Sequence, residues 1–490
     1  MAWKQIEATG PHLTYLVLSF FLISYALFSL FIRNRLHLAE PPLATLVGII
    51  CGPKGVGLIT PEKWGLADDF MQEFTRVVVG VQCFSVGIEL PRRFFRKHWS
   101  SLALLLGPVM AFSWLVCAVF IRWLFRTDVP TALIISACLT PTDPVLAASV
   151  LSNSQFSERV PARIRHLLSA ESGCNDGTSF PFLYVGLSVF TSATVASSIK
   201  KWVLITLLWQ CAFGIVLGLT IGHAANRVLR FSDKRGMIGR PSYVVFYLLL
   251  ALFCVGVGST LGSDDFLVAF SAGVGFAHDG WFASATAESN LATVIDLLVN
   301  STMFVYFGAS IPWSAFNAAC DGGDCGDNGH PHVSPRRLIA LFALVLAFRR
   351  IPAILALKPL IKDIKTWREA LFCGHFGPMG VGALFLAMEA RAQLETETSE
   401  VEPHPPQDLP SHRQQAVSII WPIICFVVLG STMVHGLSTL VVSVGSHYSR
   451  KVDERAPLIG AETERLYGMV HEEEGEEEER EGDAEEEAGR

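Results

Sequence analysis

Thr140-Pro141-Thr142-Asp143-Pro144 and, one loop later, Glu171-Ser172-Gly173-Cys174-Asn175-Asp176-Gly177-Thr178 decide how this chain reads. Each motif lies inside an apolar run. The segment joining the runs holds Glu158, Arg159, Arg163, Arg165 and His166, too polar for anything but a membrane surface. A carboxylate at the middle of an apolar span is costly and marks an ion or proton pathway by default. Proline removes a helical hydrogen bond and clashes with the preceding turn. Pro141 and Pro144 should therefore break the first span beside Thr142 and Asp143, exposing backbone carbonyls and helix ends.

Working outward, the 490 residues are 51% hydrophobic and 17% charged, with mean hydropathy +0.41. No soluble domain of this length carries so many long apolar runs, so the chain reads as an all-α polytopic membrane protein. At about twenty apolar residues per crossing, we read about 13 transmembrane helices. They run near 12–32, 39–60, 70–90, 100–121, 129–151, 167–190, 202–222, 241–261, 263–278, 291–312, 336–357, 368–390 and 414–444. Only Met1 to Pro11 precede the first span, and no cleavable signal is expected there. Two units follow, a transmembrane exchanger domain over 1–445 and an acidic tail over 446–490. The net charge of −7 comes from that tail, whose last nineteen residues hold twelve acids against two arginines. Such a run cannot bury apolar surface and reads as disordered.

Basic clusters follow spans one, three, five, seven and eleven, among them Arg92, Arg93, Arg96 and Lys97, then Arg227, Arg230, Lys234 and Arg235. The acidic insert Asp321 to Asp327 and the run Glu395 to Glu402 fall on the other side. The positive-inside rule puts the N-terminus outside and the C-terminus in the cytoplasm.

Span twelve carries Gly374, Gly377, Pro378, Gly380 and Gly382, another poor helix centre. If spans one to six and eight to thirteen are repeats, span five pairs with span twelve. Interrupted spans at corresponding positions point to a transporter site near the bilayer midplane; two kinked helices without functional meaning are the bland alternative. Ser172, Asp176 and Ser179 share one helical face, and Gly173 with Gly177 lets another helix approach. Two carboxylates with serine and threonine oxygens suit Na+, Li+ or K+ better than a soft metal. Such a site takes either a proton or a cation. Glu171 needs a partner if buried, and Arg349 and Arg350 in span eleven are candidates, although Arg349 near a helix end would equally snorkel to water. Asp264 and Asp265 at a span edge read as solvated, and Asp296 with Asn300 as structural glue.

Most of the eleven cysteines sit in apolar spans as small hydrophobes. Cys320 and Cys325, in a polar loop, read either as a disulfide or as two free thiols. No Cys/His spacing for a resident metal occurs, and no cofactor or nucleic-acid partner is expected. An intramembrane aspartyl protease would also use two aspartates, but no YD or GxGD pair is present. A cation channel would need a repeated pore loop or an acidic ring, and none is visible.

These residues carry a resemblance. Thr142-Asp143-Pro144, Glu171-Ser172 with Asn175-Asp176, and Arg349-Arg350-Ile351-Pro352 are similar to the cation/proton antiporter superfamily of NhaP and the animal exchangers. Pro42-Leu43 leading to Gly52-Pro53-Lys54-Gly55, Gly262-Ser263-Asp264-Asp265-Phe266, Tyr306-Phe307-Gly308 before Ile311-Pro312-Trp313, and His375-Phe376-Gly377-Pro378-Met379-Gly380-Val381-Gly382 resemble the fungal plasma-membrane Na+/H+ antiporters. The likeness covers roughly residues 12–445. It implies an inverted-repeat fold with discontinuous crossing helices, a homodimer in the plasma membrane, and Na+/H+ exchange rather than enzyme chemistry. It implies ion ligands at Asp176, Asp143, Ser172 and Thr142, a structural Glu171–Arg350 pair, and transport relevance for Asn175, Asp264 and Asp265. The chain departs from the bacterial members at Ser85, where they have glutamate, and at Met379, where they have arginine.

Overall fold

The computed structural model describes residues 7–36, 38–66, 68–91, 93–151, 160–191, 194–286, 291–317, 333–402 and 409–438. Arg92, Glu158, Arg159, the acidic insert with Cys320 and Cys325, and the tail from 446 lie outside the described residues. Among the described residues there is helix and no strand.

The helices follow the apolar runs. In order they are α1 (Gly10–Arg35), α2 (Glu40–Cys51), α3 (Asp68–Glu89), α4 (Phe94–Leu104), α5 (Met110–Phe125), α6 (Val129–Cys138), α7 (Pro144–Leu151), α8 (Ala162–Thr178), α9 (Phe180–Thr191) and α10 (Val195–Lys201). Then come α11 (Gly214–Lys234), α12 (Arg240–Thr260), α13 (Asp265–Phe276), α14 (Trp281–Thr286), α15 (Leu291–Ala309), α16 (Pro335–Phe348), α17 (Ile351–Leu357), α18 (Trp367–His375), α19 (Val381–Glu395) and α20 (Ser411–Gly436). Wider π-type turns join α4 to α5 and α10 to α11, so that Phe94–Phe125 and Val195–Lys234 run on as long helices. Among the described residues five stretches are long and apolar enough to cross a membrane, those two with Gly10–Ile32, Pro335–Leu357 and His412–Gly436. Others, including Glu40–Cys51, Val129–Cys138 and Asp265–Phe276, are shorter apolar helices.

The breaks fall where helix chemistry fails. Span five stops at Cys138 and restarts at Pro144, and span twelve stops at His375 and restarts at Val381. Span eleven is also interrupted, at Arg349 and Arg350, just before Pro352. One expectation needs correcting: Arg163, Arg165 and His166 are not in a loop but in the first turns of α8. Arg163 is held there by Glu369 at 3.0 Å, across the start of α18.

The packing is that of a protein in lipid. Apolar side chains such as Leu27, Leu30, Trp123 and Val216 point outward, while acids, amides and arginines are buried. Helix α13 lies at the centre, buried along nearly its whole length between α3, α11 and α12. It comes so close to α11 that a Cβ on Gly222 would sit 2.0 Å from the Ala272 carbonyl oxygen. Backbones approach this closely in membranes only where side chains are absent.

Candidate functional site

The two interrupted spans meet at their breaks. The Asp143 N–H donates to the Pro378 carbonyl at 2.8 Å. The Asp143 carboxylate then serves both restarting helices, with Oδ1 accepting from the Leu146 N–H in α7 (2.7 Å) and Oδ2 from the Val381 N–H opening α19 (3.0 Å). A helix start leaves its first N–H groups without partners, and here one carboxylate caps two of them. Residue 380 must be glycine for this contact, since a Cβ there would lie 2.0 Å from Asp143 Oδ2.

Arg349 holds the opposite ends. Its guanidinium donates to the Leu139 carbonyl, where α6 stops (2.6 Å), and to the Gly377 carbonyl, just past the end of α18. Arg349 is buried, so the snorkelling alternative is overturned: the freed carbonyls of two broken helices replace water as its acceptors. Arg350 meets Glu171 through both terminal nitrogens, at 2.5 Å each, and its Nε donates to the Cys373 carbonyl at 2.8 Å.

Helix α8 forms the other wall. The Thr142 N–H donates to Asn175 Oδ1 (3.0 Å), Asn175 Nδ2 donates to Thr142 Oγ1 (2.7 Å), and the Thr142 and Ser172 hydroxyls are 2.8 Å apart. Ser179 turns away, donating to the Asn175 carbonyl and accepting from Thr140. Asp176, 1% exposed, receives one weak contact, from the Cys83 thiol to Oδ2 at 3.8 Å. Its Oδ1 has no partner. A Cβ on Gly382 would lie 2.0 Å from that atom. Asp143 and Asp176 thus flank the first turn of α19, with Thr142 and Ser172 bonded to each other between α7 and α8.

Asp264 and Asp265 are not solvated, which corrects the simpler reading. Asp264 caps α13 by accepting from the Phe266 and Leu267 N–H groups, and its Oδ2 is buried without a partner. A Cβ on Gly177, the residue after Asp176, would lie 2.9 Å from both oxygens of this carboxylate. Asp265 receives Arg76 and Ser259, each at 2.9 Å. Asp296 and Asn300 do not pair with each other; Ser85 donates to Asp296 and Gln82 to Asn300. Gly173 and Gly177 face Phe270, Leu267 and Asp264 of the α13 region, the close approach expected of them. Sequence reasoning missed Cys83 and Arg76. A thiol in an apolar run carries no signal beyond its hydrophobicity, whereas an arginine within span three was there to be questioned.

Chemically this is a small, buried set of hard oxygens from α8 and the break before α7, beside the start of α19, with one Asp176 oxygen left open. It suits a bare monovalent cation or a proton, one at a time.

Comparison with known proteins bears on what such a site does. The family model described as the transmembrane sodium/hydrogen exchanger matches residues 20–444. The chain is 44% identical to Na(+)/H(+) antiporter 2 of Zygosaccharomyces rouxii over 92% of its own length and 55% of that protein. It is 44% identical to the Na(+)/H(+) antiporter of Saccharomyces cerevisiae, over 91% of its length and 45% of that protein. The chain therefore spans about half the length of these two curated relatives. It is 36% identical to the Na(+)/H(+) antiporter of Schizosaccharomyces pombe, covering 92% of that protein. Among solved structures, the sodium proton antiporter MjNhaP1 of Methanocaldococcus jannaschii matches with TM-score 0.65 at 16% identity, over 89% of this chain and 99% of that one. The all-helical fold is that of this antiporter.

Proposed function

We propose that this chain, which belongs to the sodium/hydrogen exchanger family, exchanges cytosolic Na+ for external H+ by offering one carboxylate to the two ions in turn. The observation that carries the reading is Asp176 Oδ1, buried at the crossing of two broken helices with no hydrogen-bond partner. A buried ionised oxygen in that position needs either a proton or a cation. Asp143, Thr142 and Ser172 complete the cage, with Na+ or Li+ as cargo and K+ as a further candidate. Asn175 holds Thr142 in place, and Glu171–Arg350 holds α8 against the break in span eleven. The names of the relatives support Na+ and H+ as the exchanged pair. Neither a channel nor a protease is supported by them.

The same reading places the protein in the plasma membrane as a homodimer, N-terminus outside and C-terminus inside. Its roles there would be pH homeostasis and salt tolerance. The body over 1–445 carries transport, and the tail over 446–490 is a cytoplasmic appendage.

Competition at one site has a kinetic signature. In proteoliposomes, the apparent KM for Na+ should rise about tenfold per pH unit on the acidic side, since each bound proton excludes one cation. A KM that stays constant as the medium is acidified would show that the ions do not share Asp176.

A further inference from the structure

A second polar cluster lies away from the crossing, between α3, α12 and α15. The Ser85 hydroxyl donates to Asp296 Oδ2 at 2.9 Å and also faces Glu89 Oε1 at 3.5 Å. One hydroxyl has one proton, so it cannot satisfy both acids at once. Among the described residues no basic side chain is ion-paired with Glu89 or Asp296. Two more polar residues lie close by, Asn300 on α15 and Tyr247 on α12. Asn300, 1% exposed and gripped at Oδ1 by Gln82, leaves its Nδ2 without a partner, and Asp296 Oδ1 has none either. The Tyr247 hydroxyl, on a residue 2% exposed, lies near Ser85, Asp296 and Glu89, faces Ser85 loosely and makes no hydrogen bond of ordinary geometry.

We propose that Asp296, Glu89, Ser85 and Tyr247 form a second binding site for an alkali-metal cation, distinct from the one at Asp176. Only the identity of the ion rests on the exchange reading above. Bound water would satisfy the open hydroxyl and amide but would leave two like charges facing across one serine. A proton on Asp296 would remove the repulsion and leave Asn300 and Tyr247 as they are. A partly hydrated cation answers both, held by carboxylate, hydroxyl and phenol oxygens. The Asn300 and Gln82 amides can turn over together, which keeps their mutual bond and presents Asn300 Oδ1 inward. A divalent ion is disfavoured. Calcium takes six to eight oxygens and magnesium a strict octahedron, whereas no group of three acidic, histidine or cysteine side chains among the described residues is placed to hold a metal ion.

The site lies where α3 ends, with Glu89 exposed and Asp296 half-buried, so an ion can reach it without passing the crossing. On α3, Cys83 meets Asp176 while Gln82 and Ser85 meet α15. The two sites therefore occupy neighbouring faces of one helix.

Thermal unfolding of the purified full-length protein, titrated with NaCl or LiCl against N-methylglucamine chloride at equal ionic strength, tests this without any transport assay. With Asp176→Asn, a saturable cation-dependent rise in Tm should persist. Adding Asp296→Asn should abolish it, and Asp296→Glu in its place should retain it. Glu89→Gln, at an exposed position that leaves folding intact, should raise the Na+ midpoint roughly tenfold, the effect of removing one unit charge a few ångströms away. Loss of all stabilisation in Asp176→Asn alone would overturn the proposal. So would a midpoint indifferent to Glu89→Gln, or a larger stabilisation by Ca2+ or Mg2+ than by Na+. Failure of the exchange reading would appear separately, as absent flux with the Glu89-dependent Tm shift intact.

Discussion

Two aspartates of the same chemistry have different structural duties at the crossing. Asp143 accepts from two helix starts, and Asp176 has one oxygen without any partner. An amide mimics a protonated acid, so Asp176→Asn should abolish exchange while the protein unfolds at the parental temperature. Asp143→Asn should differ, because an amide offers one oxygen where two N–H groups need acceptors. Loss of a cap costs about 1–2 kcal/mol, read as a lowered Tm in the purified protein. Equal Tm values for the two variants would remove the capping role from Asp143. The sequence made both acids visible, since each stands in an apolar run. It could not divide their roles. That division depends on Val381, which lies far along the chain and reaches Asp143 only in the folded molecule.

Among the elements, the interrupted helices are the most legible and their clamps the least. Pro141, Pro144, Pro378 and the surrounding glycines mark the breaks by residue type alone. That Arg349 would bind the carbonyl ends of both breaks was not readable, because nothing local distinguishes it from Arg350 beside it. The Glu171–Arg350 pair joins α8 to the interruption between α16 and α17. Removing one partner of a buried pair leaves the other charged and unpaired, at about 3–5 kcal/mol. Glu171→Ala should therefore lower Tm and yield, and Arg350→Ala in the same chain should recover part of the loss. A Glu171→Ala protein as stable as the parent would show that the pair does not hold these elements together.

For the whole molecule, hydropathy alone located most of the apolar helices, of which five among the described residues are long enough to cross a membrane, because lipid demands long apolar runs whatever the fold. It erred where packing intervenes. Helix α8 starts earlier than its apolar run because Arg163 finds Glu369, and α13 is short because it is enclosed by other helices rather than by lipid. The buried network of Arg76, Asp265 and Glu389 joins α3, α13 and α19, three elements that no sequence pattern links. Such long-range polar pairings were invisible for the reason that makes them informative, since each partner is explained only by another far away in the chain.

The crossing also has an electrical consequence. A helix start carries about half a positive charge and a helix end about half a negative one. Asp143 faces two starts and Arg349 two ends, so each is neutralised by backbone that never leaves it. Asp176 alone at the crossing has no built-in counter-charge, and one monovalent ion, Na+ or H+, balances it in either loaded form. The turnover would then move no net current. We predict that a valinomycin–K+ diffusion potential across proteoliposomes leaves the initial Na+/H+ exchange rate unchanged in either polarity. A rate that follows the imposed voltage would mean that a second charge travels, and Asp264, with its own open oxygen beside Gly177, would be the group to carry it.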